Sequence, residues 1–84
     1  MYDCYLTFRS ITHAQKGSNL LTAAGFRHRM LRTPKILATQ GCGYALQVSR
    51  KDVEAALQVL RCNHAIIQRV YWQHEDGSIE ELML

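Results

Sequence analysis

The order in which two hydrophobic periods follow one another most restricts how this chain can fold. Tyr2 to Phe8 alternates, with Cys4, Leu6 and Phe8 on one side and Asp3, Tyr5 and Thr7 on the other. That period of two suits a strand with one face on a core. Ala14, Gly17, Leu21 and Ala24 then recur at helical spacing, widened by Leu20. Thr12 is the expected N-cap of this helix, which runs to Ala24 with Gly25 as its stop. A glycine inside a helix costs about 1 kcal/mol against alanine, so Gly17 is expected to mark a close approach to a sheet. Phe26 to Leu31 alternates again, with Arg27 and Arg29 opposite Phe26, His28 and Met30. Thr33-Pro34 ends that strand, because proline donates nothing to a ladder and restrains the residue before it.

Residues 35–42 read as a loop or a ragged strand start, and Tyr44 to Val48 as a third strand. Ser49 and Asp52 form an S-x-x-D start for a second helix, whose apolar stripe is Val53, Ala56, Leu57 and Leu60. Asn63 is expected to close it in a left-handed conformation. Ile66 to Trp72, rich in β-branched and aromatic residues, is a fourth strand. Ser78 to Glu81 repeats the S-x-x-E signature, and Ile79, Leu82 and Met83 would share one side of a last helical turn.

Strand, helix, strand, strand, helix, strand predicts an α+β fold. The specific expectation is a ferredoxin-like βαββαβ two-layer sandwich, with both helices on one face of a four-stranded antiparallel sheet. With 84 residues there is room for one domain. Residues 1–74 form that domain, and 75–84 are its C-terminal tail. No apolar run approaches the roughly 18 residues needed to cross a bilayer. MYDCYLTF lacks the basic start and cleavage site of a signal peptide. The expectation is a cytoplasmic protein without membrane contact.

Between Cys4 and Lys51 lie eight basic residues (Arg9, Lys16, Arg27, Arg29, Arg32, Lys35, Arg50, Lys51) and no acid. From Asp52 onward six acids face two bases. The first half therefore carries a positive field suited to anions, nucleic acid or an acidic partner, or serves only as a solvated face. Three cysteines without close pairing make neither a disulfide scaffold nor a zinc site. Four histidines scattered one per element are a poor ligand set, and no metal or cofactor is expected.

Among the cysteines, Cys4 alternates onto the core side and Cys62 falls opposite the second helix's stripe, so packing and incidental exposure account for them. Cys42 is different, held between Gly41 and Gly43. In the expected topology the end of the first strand, the start of the first helix and the start of the third strand share one edge. Cys42 would then lie near Thr12 and His13 at a helix N-terminus, where about half a positive charge favours a thiolate. Arg9, Arg32 and Lys35 could approach the same edge, and the Gly41 and Gly43 amides could cradle an anion. The alternative is a small buried residue in a glycine-rich bend.

Several short pieces resemble one family of small bacterial domains, described as Putative Se/S carrier protein-like. They are Phe8 followed by Ile11-Thr12-His13, Ala24-Gly25, Thr33-Pro34-Lys35-Ile36, and above all Gly41-Cys42-Gly43-Tyr44-Ala45-Leu46. The resemblance covers residues 4–72. It departs at Gly17, where a larger helix former is usual, and at Lys35, where arginine is more common.

The resemblance implies that Cys42 carries sulfur or selenium as a persulfide or selenosulfide, taken from a donor protein and released to an acceptor protein. Thr12, His13, Gly41, Gly43, Arg32 and Lys35 would stabilise the anion. This is carriage and not enzymatic turnover. Two rivals remain. One is a nucleic-acid-binding sheet face using Tyr5, Tyr71, Arg27 and Arg29, against which the acidic tail argues. The other is a dimeric regulatory module whose interface is Tyr5, Thr7, Tyr71, Leu82 and Leu84.

Overall fold

A computed structural model describes residues 2–37 and 43–83. In chain order these form β1 (Cys4–Phe8), α1 (Ile11–Ala23), β2 (Arg29–Arg32), β3 (Tyr44–Val48), α2 (Val53–Cys62), β4 (Arg69–Gln73) and β5 (Ile79–Glu81). The fold is α+β, with two helices on an antiparallel sheet ordered β2-β3-β1-β4-β5.

The alternation in β1 decides the layering. Cys4, Leu6 and Phe8 face the helices and join Leu46 and Val48 of β3 and Val70 of β4 in the main core. From above, α1 contributes Ala14 and Leu21, and α2 contributes the whole expected stripe of Val53, Ala56, Leu57 and Leu60. Gly17 permits the close packing of α1. A methyl group on it would meet Phe8 Cζ at 3.1 Å and Leu46 Cδ1 at 3.2 Å.

The sheet has five strands where four were expected. Ser78–Glu81 does not begin a helical turn. Gly77 takes φ +89°, a conformation open to glycine, and reverses the chain. The Ser78 hydroxyl and amide both donate to Asp76 Oδ1, at 2.7 and 2.9 Å, and hold that carboxyl below the usual carboxylate range. The following residues find the unpaired edge of β4, with Tyr71 opposite Glu81 and Gln73 opposite Ile79. An edge strand's free backbone groups outweigh a local capping signature. Arg69 and Glu81 close the hairpin at 3.0 Å.

The second face of the sheet is not open. Tyr5, Ala45 and Tyr71 form a smaller core there with Leu37, and Leu31 and Ile79 pack against it. Tyr5 and Tyr71 are each only 9% exposed, and Thr7 is fully buried. Thr7 satisfies its hydroxyl by accepting from the Arg69 amide at 3.1 Å and donating to the Arg69 carbonyl at 3.3 Å. Tyr5, Thr7 and Tyr71 are therefore not available as a stacking platform or as a flat dimer face.

Helix ends also differ from expectation. α1 is capped by Ser10, whose side chain accepts from the His13 amide, while Thr12 is exposed within the first turn. At the end of α2 the left-handed residue is His64, with φ 60°, and not Asn63, with φ −105°. Asn63 instead donates its side-chain amide to the Val59 carbonyl at 2.8 Å.

Candidate functional site

The expected meeting of three chain ends at one edge is present. β1 and β3 pair with Phe8 opposite Tyr44, and β2 places Arg32 opposite Tyr44. The row Phe8–Tyr44–Arg32 thus borders this edge. Just beyond it, the Gly43 amide donates to the Phe8 carbonyl at 3.0 Å, and the Gly43 carbonyl accepts from the Thr33 amide at 3.2 Å. Gly43 also backs onto Arg9, and only a residue without a side chain fits this approach easily. Its amide is engaged by Phe8 and is not free to cradle an anion. Gly41 and Cys42 lie outside the described residues.

After Arg9 the chain enters α1. Ser10 has extended backbone angles, φ −138° and ψ 161°, as an N-cap should. Its hydroxyl oxygen accepts from the His13 amide at 3.3 Å and lies 3.0 Å from His13 Nδ1. The Ser10 hydroxyl thus ties the His13 ring to the start of α1, and the His13 tautomer sets which of the two donates in that contact. No acid stands in the first turn of α1.

Arg9, His13, Ile66 and Gln68 line a cavity of about 80 Å³. It lies on the β4 side of Arg9, since the Gln68 amide donates to the Thr7 carbonyl at 2.8 Å. Gly43 lies on the β3 side. Arg9 borders both, with its carbonyl facing Gly43 and the residue also lining the cavity.

The other expected cations sit apart. Arg32 is exposed on β2, with its guanidinium 5.6 Å from the centre of the Tyr44 ring. Two strand spacings, about 10 Å, separate β2 from β1. Lys35 is exposed in the turn closed by the Leu37 amide on the Pro34 carbonyl, at 2.9 Å. Arg9 and His13 thus line one cavity, while Arg32 lies on β2, beyond β3, and Lys35 in the turn that follows.

Sequence reasoning missed Ser10, Ile66 and Gln68. Ser10 carried a readable signal, a capping residue two positions before Thr12 and directly after the strand. Ile66 and Gln68 carried none, because only the pairing of β4 with β1 brings them to this edge.

The remaining cysteines follow expectation. Cys4 is fully buried, and burial first, then the neighbouring Asp3 carboxylate, push its thiol up from 9.0 to about 12. Arg50 lowers it only in part. Such a thiol is inert at neutral pH. Cys62 is exposed as the last residue of α2. Among the described residues no group of three or more His, Cys, Asp or Glu side chains could hold a metal ion. None of the described helices is long and apolar enough to cross a membrane.

A family model described as Putative Se/S carrier protein-like matches residues 3–72. The chain belongs to that family. The Se/S carrier protein-like match spans β1 through most of β4 and takes in the Cys42 segment, while β5 lies beyond it. No curated protein and no solved structure matches the chain.

Proposed function

We propose that this Se/S carrier protein-like chain carries sulfur or selenium on Cys42, as a persulfide or selenosulfide, between a donor and an acceptor protein. Its first four strands and two helices are read as a ferredoxin-like unit extended by β5. The observation that carries the reading is the placement of Gly43 against Phe8 and Arg9, at the entrance to α1. One peptide bond joins Cys42 to Gly43, and consecutive Cα atoms are about 3.8 Å apart. The described residues that border this edge are Arg9, a cation, and the N-terminus of α1, whose first turn holds no acid. Each favours an anionic sulfur over a neutral one.

The transfer is thiol–disulfide exchange applied to a persulfide. The Cys42 thiolate attacks the outer sulfur of a donor persulfide, R–S–SH. A new S–S bond forms to Cys42, the donor's S–S bond breaks, and R–S⁻ leaves with the electron pair. No outside oxidant or reductant is required. Delivery repeats the step with an acceptor thiolate attacking the terminal atom. A donor selenosulfide, R–S–SeH, reacts in the same way at selenium. The atom is held and passed on, so the chain is read as a carrier and not as an enzyme.

Intact mass after incubation with a persulfide donor tests this, comparing the native chain with Cys42→Ser. One added sulfur atom on the native chain and none on the variant is the expected result. An equal adduct on both would move the chemistry to another cysteine and end the reading. Brief alkylation near pH 6 is a second check, in which Cys42 should react faster than exposed Cys62.

A further inference from the structure

The two outer strands of the sheet carry opposite charge. Strand order places β2 and β5 at its ends, each with a neighbouring strand on one side only among the described residues. Such an edge presents backbone N–H and C=O groups ready to pair with another strand. On β2, Arg29, Met30 and Arg32 are exposed, as is Arg27 just before it. The Arg29 guanidinium lies 5.5 Å from the centre of the Tyr2 ring, and that of Arg32 5.6 Å from the centre of Tyr44. These ring contacts hold the groups without cancelling their charge. Among the described residues neither arginine is in an ion pair. On β5, Glu80 and Glu81 are exposed, and exposed Glu75 and Asp76 precede them in the turn. Glu80 meets His74 at 2.9 Å and Glu81 meets Arg69 at 3.0 Å, yet the two side chains stay 55% and 39% exposed.

We propose that β2 of one copy of this chain pairs with β5 of a second copy, extending the sheet from molecule to molecule. Charge selects this pairing over its rivals. β2 against β2 sets arginines against arginines, and β5 against β5 sets glutamates against glutamates. Every neighbouring pair of strands is antiparallel, so β2 and β5, first and fifth in the sheet, run in the same direction. Two copies related by translation across the strands pair β2 with β5 in parallel and keep their helices on one face. The faces then match as well. Arg32 opposes Tyr44 and Glu80 opposes Trp72, both on the helix side. Arg29 opposes Gln47 and Glu81 opposes Tyr71, both on the other side. With Glu80 beside Met30 and Glu81 beside Leu31, each glutamate has an arginine two residues along the facing strand, on its own face. That offset is about 8 Å between backbones, within reach of an arginine side chain. A translational contact does not close, so it builds chains of copies. Four residues of β2 and three of β5 are available, which makes the contact weak and salt-sensitive. The pairing is independent of the carrier reading.

The test is sedimentation velocity of the 84-residue chain under reducing conditions, from about 20 μM to about 1 mM. At about 20 mM salt the mean sedimentation coefficient should climb with concentration and pass that of a dimer, and about 500 mM salt should reverse the climb. Arg29→Glu with Arg32→Glu makes both edges acidic and should weaken association at least about tenfold. Glu80→Lys with Glu81→Lys makes both edges basic and should do the same from the other side. Lys16→Glu with Lys51→Glu changes net charge as much as the arginine pair does, on exposed residues of α1 and of the turn before α2. It should leave association within about twofold. A chain that stays monomeric throughout at low salt overturns the proposal. So does association that stops at a dimer, the mark of a like-to-like contact. Equal weakening by the arginine pair and the lysine pair also overturns it, because net charge alone would then be at work. Far-UV circular dichroism matching the parent shows that each variant is folded.

Discussion

A methyl group placed on Gly43 would stand 3.1 Å from the carbonyl oxygen of Arg9. The neighbour is backbone, already committed to the turn into α1, so it cannot swing aside as a flexible side chain could. Gly43→Ala is expected to destabilise the chain by about 1–2 kcal/mol, read from the urea midpoint. An unchanged midpoint would mean that this corner yields more easily than its geometry indicates.

Ser10 and Thr12 compete as caps in the sequence, and they should separate cleanly by mutation. Ser10→Ala removes the acceptor of the His13 amide and is expected to cost about 1 kcal/mol. Thr12→Ala touches an exposed first-turn residue and should stay within about 0.5 kcal/mol. Thermal melts of both variants decide the matter, and the reverse order would return the cap to Thr12.

Leu37 is 2% exposed and seated on Tyr5, Ala45 and Tyr71. Leu37→Ala should cost about 2–4 kcal/mol, the range for a buried leucine whose site cannot fully collapse. It should also uncover the two tyrosines, raising dye binding to apolar surface. A variant as stable as the parent, binding no more dye, would show that the second face is protected by other residues.

Cys4 gives a pH dependence whose sign follows from its raised thiol. With an unfolded value of 9.0 and a folded value of about 12, the unfolded chain loses this proton first. Its contribution is whole below pH 9 and declines as pH rises toward 12, by at most about 1.4 kcal/mol per pH unit. Urea melts between pH 8 and 11 should show a shallower decline in Cys4→Val than in the parent chain. Identical slopes would assign the alkaline loss to other groups.

Much of this architecture was legible where a residue's neighbours in the chain are also its neighbours in space. The α2 stripe of Val53, Ala56, Leu57 and Leu60, the core side of β1 and the tight seat of Gly17 all follow from period and size. The edge shared by Phe8, Gly43 and α1 followed from strand order alone. The covered second face was less visible, although Leu31, Tyr5, Ala45 and Tyr71 make it too apolar for a solvated surface. Its cover comes from Leu37, in a segment whose local pattern is a turn. The Ser78–Glu81 segment misled because a helix start and a hairpin arm can share one short polar signature.

The amino-acid order by itself determined which residues seek the interior, how the strands and helices succeed one another, and that acids are kept out of Cys4 to Lys51. Each depends on local spacing or on charge count, and both are properties of the chain before it folds. Only the tertiary structure decided that β5 joins the sheet, that Ser10 and not Thr12 caps α1, and that Gln68 and Ile66 wall a cavity with Arg9 and His13. These outcomes turn on which unpaired backbone edge or crevice lies within reach once the layers have packed. The pairing of β4 with β1, which brings residues about sixty positions apart together, is set by that competition, and local propensity has no part in ranking it.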